Sequence, residues 1–460
     1  MKATNKQKRF ISLLLALLML FLIAGCKSQK EDNTSSDEYE YVEEVVSEVV
    51  QETEGTSDPV ASGSSAITGS KTETPKIKDS TVKVLLWYEP SKSETRIKEE
   101  FEKKTGCKVQ FVKTSLANYQ TKLASLVATG AAPDSAAMPV SGYPSAVING
   151  LFDELPTQYF NLNNKLWDIK TMDKYKWKDN YYGVVAKGST MGDFYLIYFN
   201  QTLFEERGVE TPYEVWKANP DNWNWNKLVE LSKKMTYGNG DDKMYGLICD
   251  YAGTFLWSTG KDFVSVNNGK ITNTCQDAKV KEAWKFFCNL RDVEKVLYPV
   301  NSSENDFINR KGAMYIGGSW LLQSDQSFNK NVKDDWGAVP FPKQNNGSYY
   351  APFRANLWGV GKGAKNPAGS AAFLSYWLDP AHYNTKELYA QPQFRDIHQW
   401  MWNQEKGNCY SNGVLNAKEK GYYQDLWVKL TAGAGQVDTV LAQESNVIDE
   451  SIKVVLDARK

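Results

Sequence analysis

From Thr81 onward the chain alternates short apolar, β-branched runs with amphipathic stretches closed by glycine, and few folds accept that pattern. TVKVLLWY (81–88) has the make-up of a strand, and Glu94–Lys104 has helical spacing with Gly106 at its end. CKVQFVK follows as a second strand, Asn118–Ala128 as a second helix closed by Gly130, and DSAAMPV with Pro144–Asn149 repeats the unit. A second set opens at DFYLIYFN (193–200), continues through helices at Gln201–Arg207 and Asn226–Met235, and adds strands at MYGLICDY and GAMYIGGSW around a helix at Ala278–Asp292. A strand at NLWGVG, a helix at Gly369–Leu378 and a helical region from Tyr422 to about Ala458 complete the order. Strand–helix–strand alternation predicts an α/β fold with parallel sheets covered on both faces. Sheets of that kind hold ligands at the carboxyl ends of their strands. Trp87, Tyr88 and Glu89 then sit at the mouth of the first strand, and Pro139–Tyr143 at that of the third.

The first 76 residues follow different rules. Lys2, Lys6, Lys8 and Arg9 precede an apolar run from Phe10 to Ile23, then Ala24-Gly25-Cys26. The run is shorter than the roughly 20 residues a spanning helix needs, so residues 1–25 are expected to be a cleaved export signal. Small residues ahead of a cysteine match a bacterial lipobox, with Cys26 the expected lipidation (palmitate-bearing) site. Acyl chains contribute about 0.8 kcal/mol per buried CH₂, enough for two to hold a protein on a membrane. Between Glu31 and Asp58 there are eleven acids and no base, and Ser, Thr and Gly dominate up to Thr74. Residues 26–76 are expected to be a disordered acidic, Ser/Thr-rich linker, because they offer too little apolar surface to offset chain entropy. The placement is on the outer face of the cytoplasmic membrane, consistent with a Gram-positive wall to span.

Composition narrows the chemistry of the remainder. The whole chain carries −1, residues 1–25 hold four bases, and residues 26–76 hold four bases against twelve acids, which leaves about +3 on 77–460. That balance gives no footprint for a nucleic-acid partner. All 15 Trp lie beyond residue 76, alongside 25 Tyr and 19 Phe in the chain. Surplus indole on a near-neutral body points to an uncharged, faceted ligand. The two histidines, His382 and His398, are too few for a His-rich metal site or a hydrolytic triad, and Cys107, Cys249, Cys275, Cys288 and Cys409 form no CxxC pair. No cofactor and no metal are expected. Cys107 and Cys288 fall on apolar faces and read as buried thiols.

Ordered along 80–460, a set of segments resembles the carbohydrate-binding lipoproteins of ABC importers, family 1 of the extracellular solute-binding proteins. The marks are VATGAAPD (127–134), SGYPSAVINGLFDEL (141–155), WKDNYYGVV (177–185) and FYLIYFNQTLFEERGVETP (194–212). They continue with WNWNKLVELSKKMT (223–236), FINRKGAMYIGGSW (307–320), DWGAVPFP (335–342) and GVGKGAKNPAGSAAFLSYW (359–377). The resemblance implies a two-lobed clamshell of the periplasmic-binding-protein kind, each lobe a sheet flanked by helices, with several hinge crossings. Crossings are expected near Met191–Asp193, Pro352–Trp358 and Phe394–Ile397. One lobe would hold 77–191 plus 358–393, the other 194–351 plus 398–460.

The same resemblance implies a carbohydrate in the interlobe cleft, delivery to permease subunits, a monomer, and no catalysis. A pyranose offers an apolar face for aromatic stacking and hydroxyls for planar hydrogen-bonding groups. Trp320, after two glycines at a strand end, matches the family's stacking aromatic. Asp193 and the loop residues Ser141 and Tyr143 match positions where relatives contact ligand. The residues themselves add Trp87, Tyr88 and Glu89 at a strand mouth and Trp257 after a Gly-Thr turn. Arg354 and Arg395 join them at the expected crossings, where a guanidinium can fork two hydroxyls. Trp223, Trp225, Trp284 and Trp427 are assigned to packing. Two other readings remain: a sensory receptor that binds sugar without import, and a secreted glycoside hydrolase, which needs two carboxylates about 5–9.5 Å apart.

Overall fold

The computed structural model describes residues 77–138, 142–189, 193–299, 303–324 and 326–458. The export signal, Cys26, the acidic linker and Ser141 lie outside the described residues. Among the described residues twelve strands run in chain order as β1 (Thr81–Leu86), β2 (Lys108–Lys113), β3 (Ser135–Met138), β4 (Asp193–Asn200), β5 (Tyr245–Cys249), β6 (Val264–Asn267), β7 (Lys270–Asn273), β8 (Gly312–Gly318), β9 (Trp336–Pro340), β10 (Ala351–Arg354), β11 (Leu357–Gly359) and β12 (Lys406–Asn408). They form two main sheets and a hairpin, β6–β7. The first sheet has the order β11-β3-β1-β2, and the second β12-β10-β4-β8-β5 with β9 also on β4.

The first sheet grows as the alternation predicts. β2 and β3 both run parallel to β1, and β11 closes the far edge antiparallel to β3. The helix between β1 and β2, Lys92–Thr105, starts at a Ser91–Glu94 capping box and ends at Gly106, whose φ of 73° is open to glycine at little cost. Its Ile97 and Phe101 are buried on the sheet. Tyr119, on the next helix, is buried between β1 and β3, where its hydroxyl accepts from Ala137 N–H at 2.9 Å and donates toward the Ala137 carbonyl at 3.0 Å.

In the second sheet the parallel expectation needs correcting. β8 and β9 flank β4, each antiparallel to it, and β10 pairs antiparallel with the start of β4. β8 and β9 are therefore parallel to one another, but with β4 inserted between them. Local alternation specifies that a crossover returns parallel; it does not specify which strand fills the space between. β5 lies parallel beside β8, and β12 parallel beside β10.

The chain passes from the second sheet to the first between β10 and β11, through Ala355 and Asn356. The helix Pro367–Trp377 then packs on the first sheet, with Trp377 against Trp358 and Phe373 against Phe101. By Ala390, whose N–H donates to the Leu322 carbonyl at 2.7 Å, the chain is back on the second. Phe394 and Trp402 of the helix Pro392–Trp402 pack on Trp336 and Phe194. A second join lies across the seam. Lys406 on β12 pairs with Asp168 at 3.0 Å, their side chains only 4% and 11% exposed, while Lys174 and Tyr175 reach the Lys406 carbonyl and Asn408. Nearby, Asp179 and Asn268 exchange two hydrogen bonds of 2.6 Å between a loop and the β6–β7 turn. The five cysteines beyond residue 76 form no disulfide among the described residues, and four of them are buried. Among the described residues no helix is long and apolar enough to cross a membrane.

His398 sits in the core of the second half. Its Nε2 accepts the Trp402 indole N–H at 3.2 Å, and its Nδ1 lies 2.8 Å from the Tyr389 hydroxyl. An indole nitrogen only donates, so Nε2 keeps its lone pair and the ring is neutral. Burial lowers its pKa to about 3. An unfolded histidine titrates near ~6.5, so the unfolded chain gains a proton that the folded core refuses. The stabilisation is full above that value and declines as pH falls through the window between the two. On going from pH 7 to pH 5, urea unfolding of the protein should lose about 2 kcal/mol more than unfolding of a His398→Gln variant. Equal losses would mean that another group governs this acid sensitivity.

Candidate functional site

β1, β8 and the β10–β11 crossing all end at one cavity of about 470 Å³ between the two sheets. Strand periodicity sets its floor. Successive side chains point to opposite faces of an extended chain. Along FRANLW, Phe353, Ala355 and Leu357 are buried in the core, while half-buried Arg354 and Asn356 and the nearly fully buried Trp358 line the cavity. The first sheet supplies Trp87, Tyr88 and Glu89 at the end of β1, as the strand-mouth argument anticipates. Trp87 lies nearly parallel to Trp358, 16° apart with centroids at 6.4 Å, and Tyr119 meets it edge-on.

The second sheet supplies Trp320 at the end of β8. Gly318 makes this possible: a Cβ there would lie 1.7 Å from the Trp320 ring, so only glycine lets the indole fold back over the strand end. Tyr195 and Tyr251 hold that ring edge-on at 6.1 Å. The chain leaves β8 in a single 3₁₀ turn, Ser319–Leu322, in which residues three apart are eclipsed. Gln323 therefore follows Trp320 to the cavity, and Gln326 lines it as well.

The polar groups are ordered before any ligand arrives. Arg354 donates to the Tyr195 hydroxyl at 2.6 Å. Tyr88 donates to Glu94 at 2.7 Å, and burial, then the neighbouring Glu94 carboxylate, raises its pKa well above that of a free phenol. Glu89 pairs with Lys113 at 2.7 Å on the exposed rim, beside Leu116, an apolar side chain 58% exposed. Tyr383, Glu387 and Leu388 come from the segment that returns the chain to the second sheet. Among the described residues no group of three or more His, Cys, Asp or Glu is placed to hold a metal ion.

Of the ten sequence candidates, the structure brings Trp87, Tyr88, Glu89, Trp320 and Arg354 together here. Trp257 goes elsewhere: GTFLW forms a short helix, and the indole is buried against Tyr195 and Trp427. Tyr143 is buried in a cluster with Tyr175 and Tyr410, its hydroxyl donating to the Lys176 carbonyl at 2.9 Å. Arg395 is exposed on the helix Pro392–Trp402, where it pairs with its neighbour Asp396 and does not line the cavity. Asp193 opens β4 opposite Arg354 in the β10 register, and Ser141 lies outside the described residues. Asn356 and Trp358 escaped the sequence reading although the period of two from Arg354 points at both. Gln323 follows from the same kind of count. Tyr383 and Glu387 carry no such signal, since only the path of a loop brings them in.

Comparison with known proteins accords with this architecture. The family model described as "Bacterial extracellular solute-binding protein" matches residues 96–393. The maltodextrin-binding protein MdxE of Bacillus subtilis (strain 168) is 30% identical over 148 residues, which is 30% of this chain and about a third (32%) of that protein. Among solved structures, an ABC substrate-binding protein of Listeria monocytogenes in complex with cycloalternan superposes with a TM-score of 0.62 at 19% identity, covering 81% of this chain and 99% of that one. The GacH receptor of Streptomyces glaucescens gives 0.59 at 18%, covering 82% and 99%. At such identities the likeness is one of fold, a two-lobed arrangement of two helix-flanked sheets. With the family model spanning more than half of its length, the chain belongs to the bacterial extracellular solute-binding protein family.

Proposed function

We propose that the protein is a lipid-anchored receptor on the outer face of the cytoplasmic membrane. It takes a neutral oligosaccharide into the cleft and hands it to the permease of an ABC importer. The observation that carries this reading is the pair of indoles, Trp87 and Trp320, set at strand ends of different sheets and lining one cavity. Each offers a flat apolar face to a sugar ring. Between them Arg354, Asn356, Gln323, Gln326 and Glu387 supply planar groups suited to hydroxyls. Contacts to both halves are what a ligand needs to favour a closed state over an open one. Relatives named for maltodextrin and solved with cycloalternan support the ligand class, and the lipobox at Cys26 supports the anchor.

The Glu387 carboxylate suits binding better than acid catalysis. A glycosidase acid must hold its proton near neutral pH. Burial pushes the Glu387 carboxyl up, but the Asn384 N–H and the Arg96 guanidinium outweigh it and hold the group below the usual carboxylate range. A group so placed accepts hydroxyl protons and does not deliver one.

A thermal-shift screen of the purified protein against maltotriose, maltotetraose, mannotriose and cycloalternan should raise the melting temperature with at least one of them. The sugar should be recovered uncleaved, and released shorter products would favour the hydrolase. Trp320→Ala should weaken binding of the responding sugar at least tenfold and abolish the change in tryptophan fluorescence; unchanged affinity would remove Trp320 from the site. Gly318→Ala should displace the same indole and reproduce that loss while altering the urea midpoint much less than a core substitution. A variant with wild-type affinity would show that the ring does not depend on the missing Cβ.

A further inference from the structure

The segment between the helix Pro367–Trp377 and the helix Pro392–Trp402 does more than join two halves. Its short helix Thr385–Leu388 brings Glu387 into the wall of the cavity. Arg96, on the Lys92–Thr105 helix, is not part of that wall. It forks the Glu387 carboxylate from behind, Nη2 to Oε2 at 2.8 Å and Nε to Oε1 at 3.3 Å. The Asn384 N–H donates to the same Oε2 at 2.8 Å. Arg96 is itself fixed by Glu100 at 2.6 Å and by the His382 carbonyl at 3.2 Å.

A carboxylate accepts at about four lone-pair positions. Three are taken by these donors, two on Oε2 and one on Oε1, and the Asn384 side chain also bonds the carboxylate, which leaves the side of the group that lines the cavity to meet a ligand. An isolated surface ion pair contributes little to stability. A forked pair does something else: it fixes the plane of the carboxylate, so that a hydroxyl meets an acceptor already oriented and little side-chain freedom is lost on binding. The Glu387 carbonyl lies 3.5 Å from the Ser324 hydroxyl, and Ala390 N–H bonds Leu322, so the segment is also tied to the turn that carries Trp320.

We propose that Glu387 is a specificity-determining acceptor for a ligand hydroxyl, and that Arg96, outside the cleft, is its positioning residue. This rests on the reading of the cleft as a saccharide site. Affinities of the wild type and of Glu387→Gln, Arg96→Ala, Arg96→Lys and the Glu387→Gln/Arg96→Ala pair should be measured by calorimetry against the four oligosaccharides of the thermal screen, with urea midpoints taken in parallel.

Glu387→Gln is expected to weaken the responding sugar about tenfold, Arg96→Ala to a similar degree, and the double variant no more than the worse single one. Arg96→Lys, a point charge without the fork, should fall between wild type and Arg96→Ala. Wild-type affinity in Glu387→Gln would overturn the contact, and additive losses in the double variant would overturn the positioning role. A loss in Arg96→Ala that tracks a lowered urea midpoint would mark Arg96 as structural and overturn its role too. A wild type that binds none of the four sugars would instead overturn the saccharide reading itself, and this inference with it.

Discussion

The site depends on one constraint of extended backbone: neighbouring side chains cannot share a face. Where the chain leaves β10 for β11, that rule sends Phe353, Ala355 and Leu357 into the cores and Arg354, Asn356 and Trp358 toward the cavity. The strand registers on either side, Arg354 opposite Asp193 and Leu357 opposite Met138, fix how far each half can slide along this connection. Cleft floor and connection are thus the same six residues. A substitution that shifted the register by one would bury the guanidinium and expose the phenyl ring.

Aromatic residues serve two ends that composition cannot separate. Trp223, Trp225, Trp257, Trp284 and Trp377 are fully or nearly fully buried, filling cores and seams. Trp87 and Trp320 are partly exposed at strand ends. Trp87 and Trp320 each follow the last residue of a strand by one or two positions. Gly318 adds a second mark, since the space it leaves is occupied by an indole and not by a ligand.

Much of the fold was legible because it is written in local periods. The capping box at Ser91 and Glu94, the glycine at 106 and the β-branched runs of β1 and β2 each specify their element from adjacent residues. The insertion of β4 between β8 and β9 was not legible, because it depends on pairing between segments more than a hundred residues apart. The site divided along the same line. Trp87, Tyr88, Glu89, Trp320 and Arg354 could be placed from strand ends and a crossing. Tyr383 and Glu387 could not, since their positions come from a loop held by Arg96. Trp257 and Arg395 show the converse error, in which a plausible motif lies on a helix that faces elsewhere.

The Lys406–Asp168 pair has a mechanical corollary. Charges held this far from solvent cannot be pulled apart without leaving both stranded in a low-dielectric interior, at a cost of several kcal/mol for each. Mobile ions screen such a pair far less than they screen the many lysine–glutamate pairs on the surface. The seam between the halves is thus held at this pair by an attachment that resists both separation and salt. A rotation that keeps this pair intact must turn about an axis that passes close to it, much as a book moves about its spine.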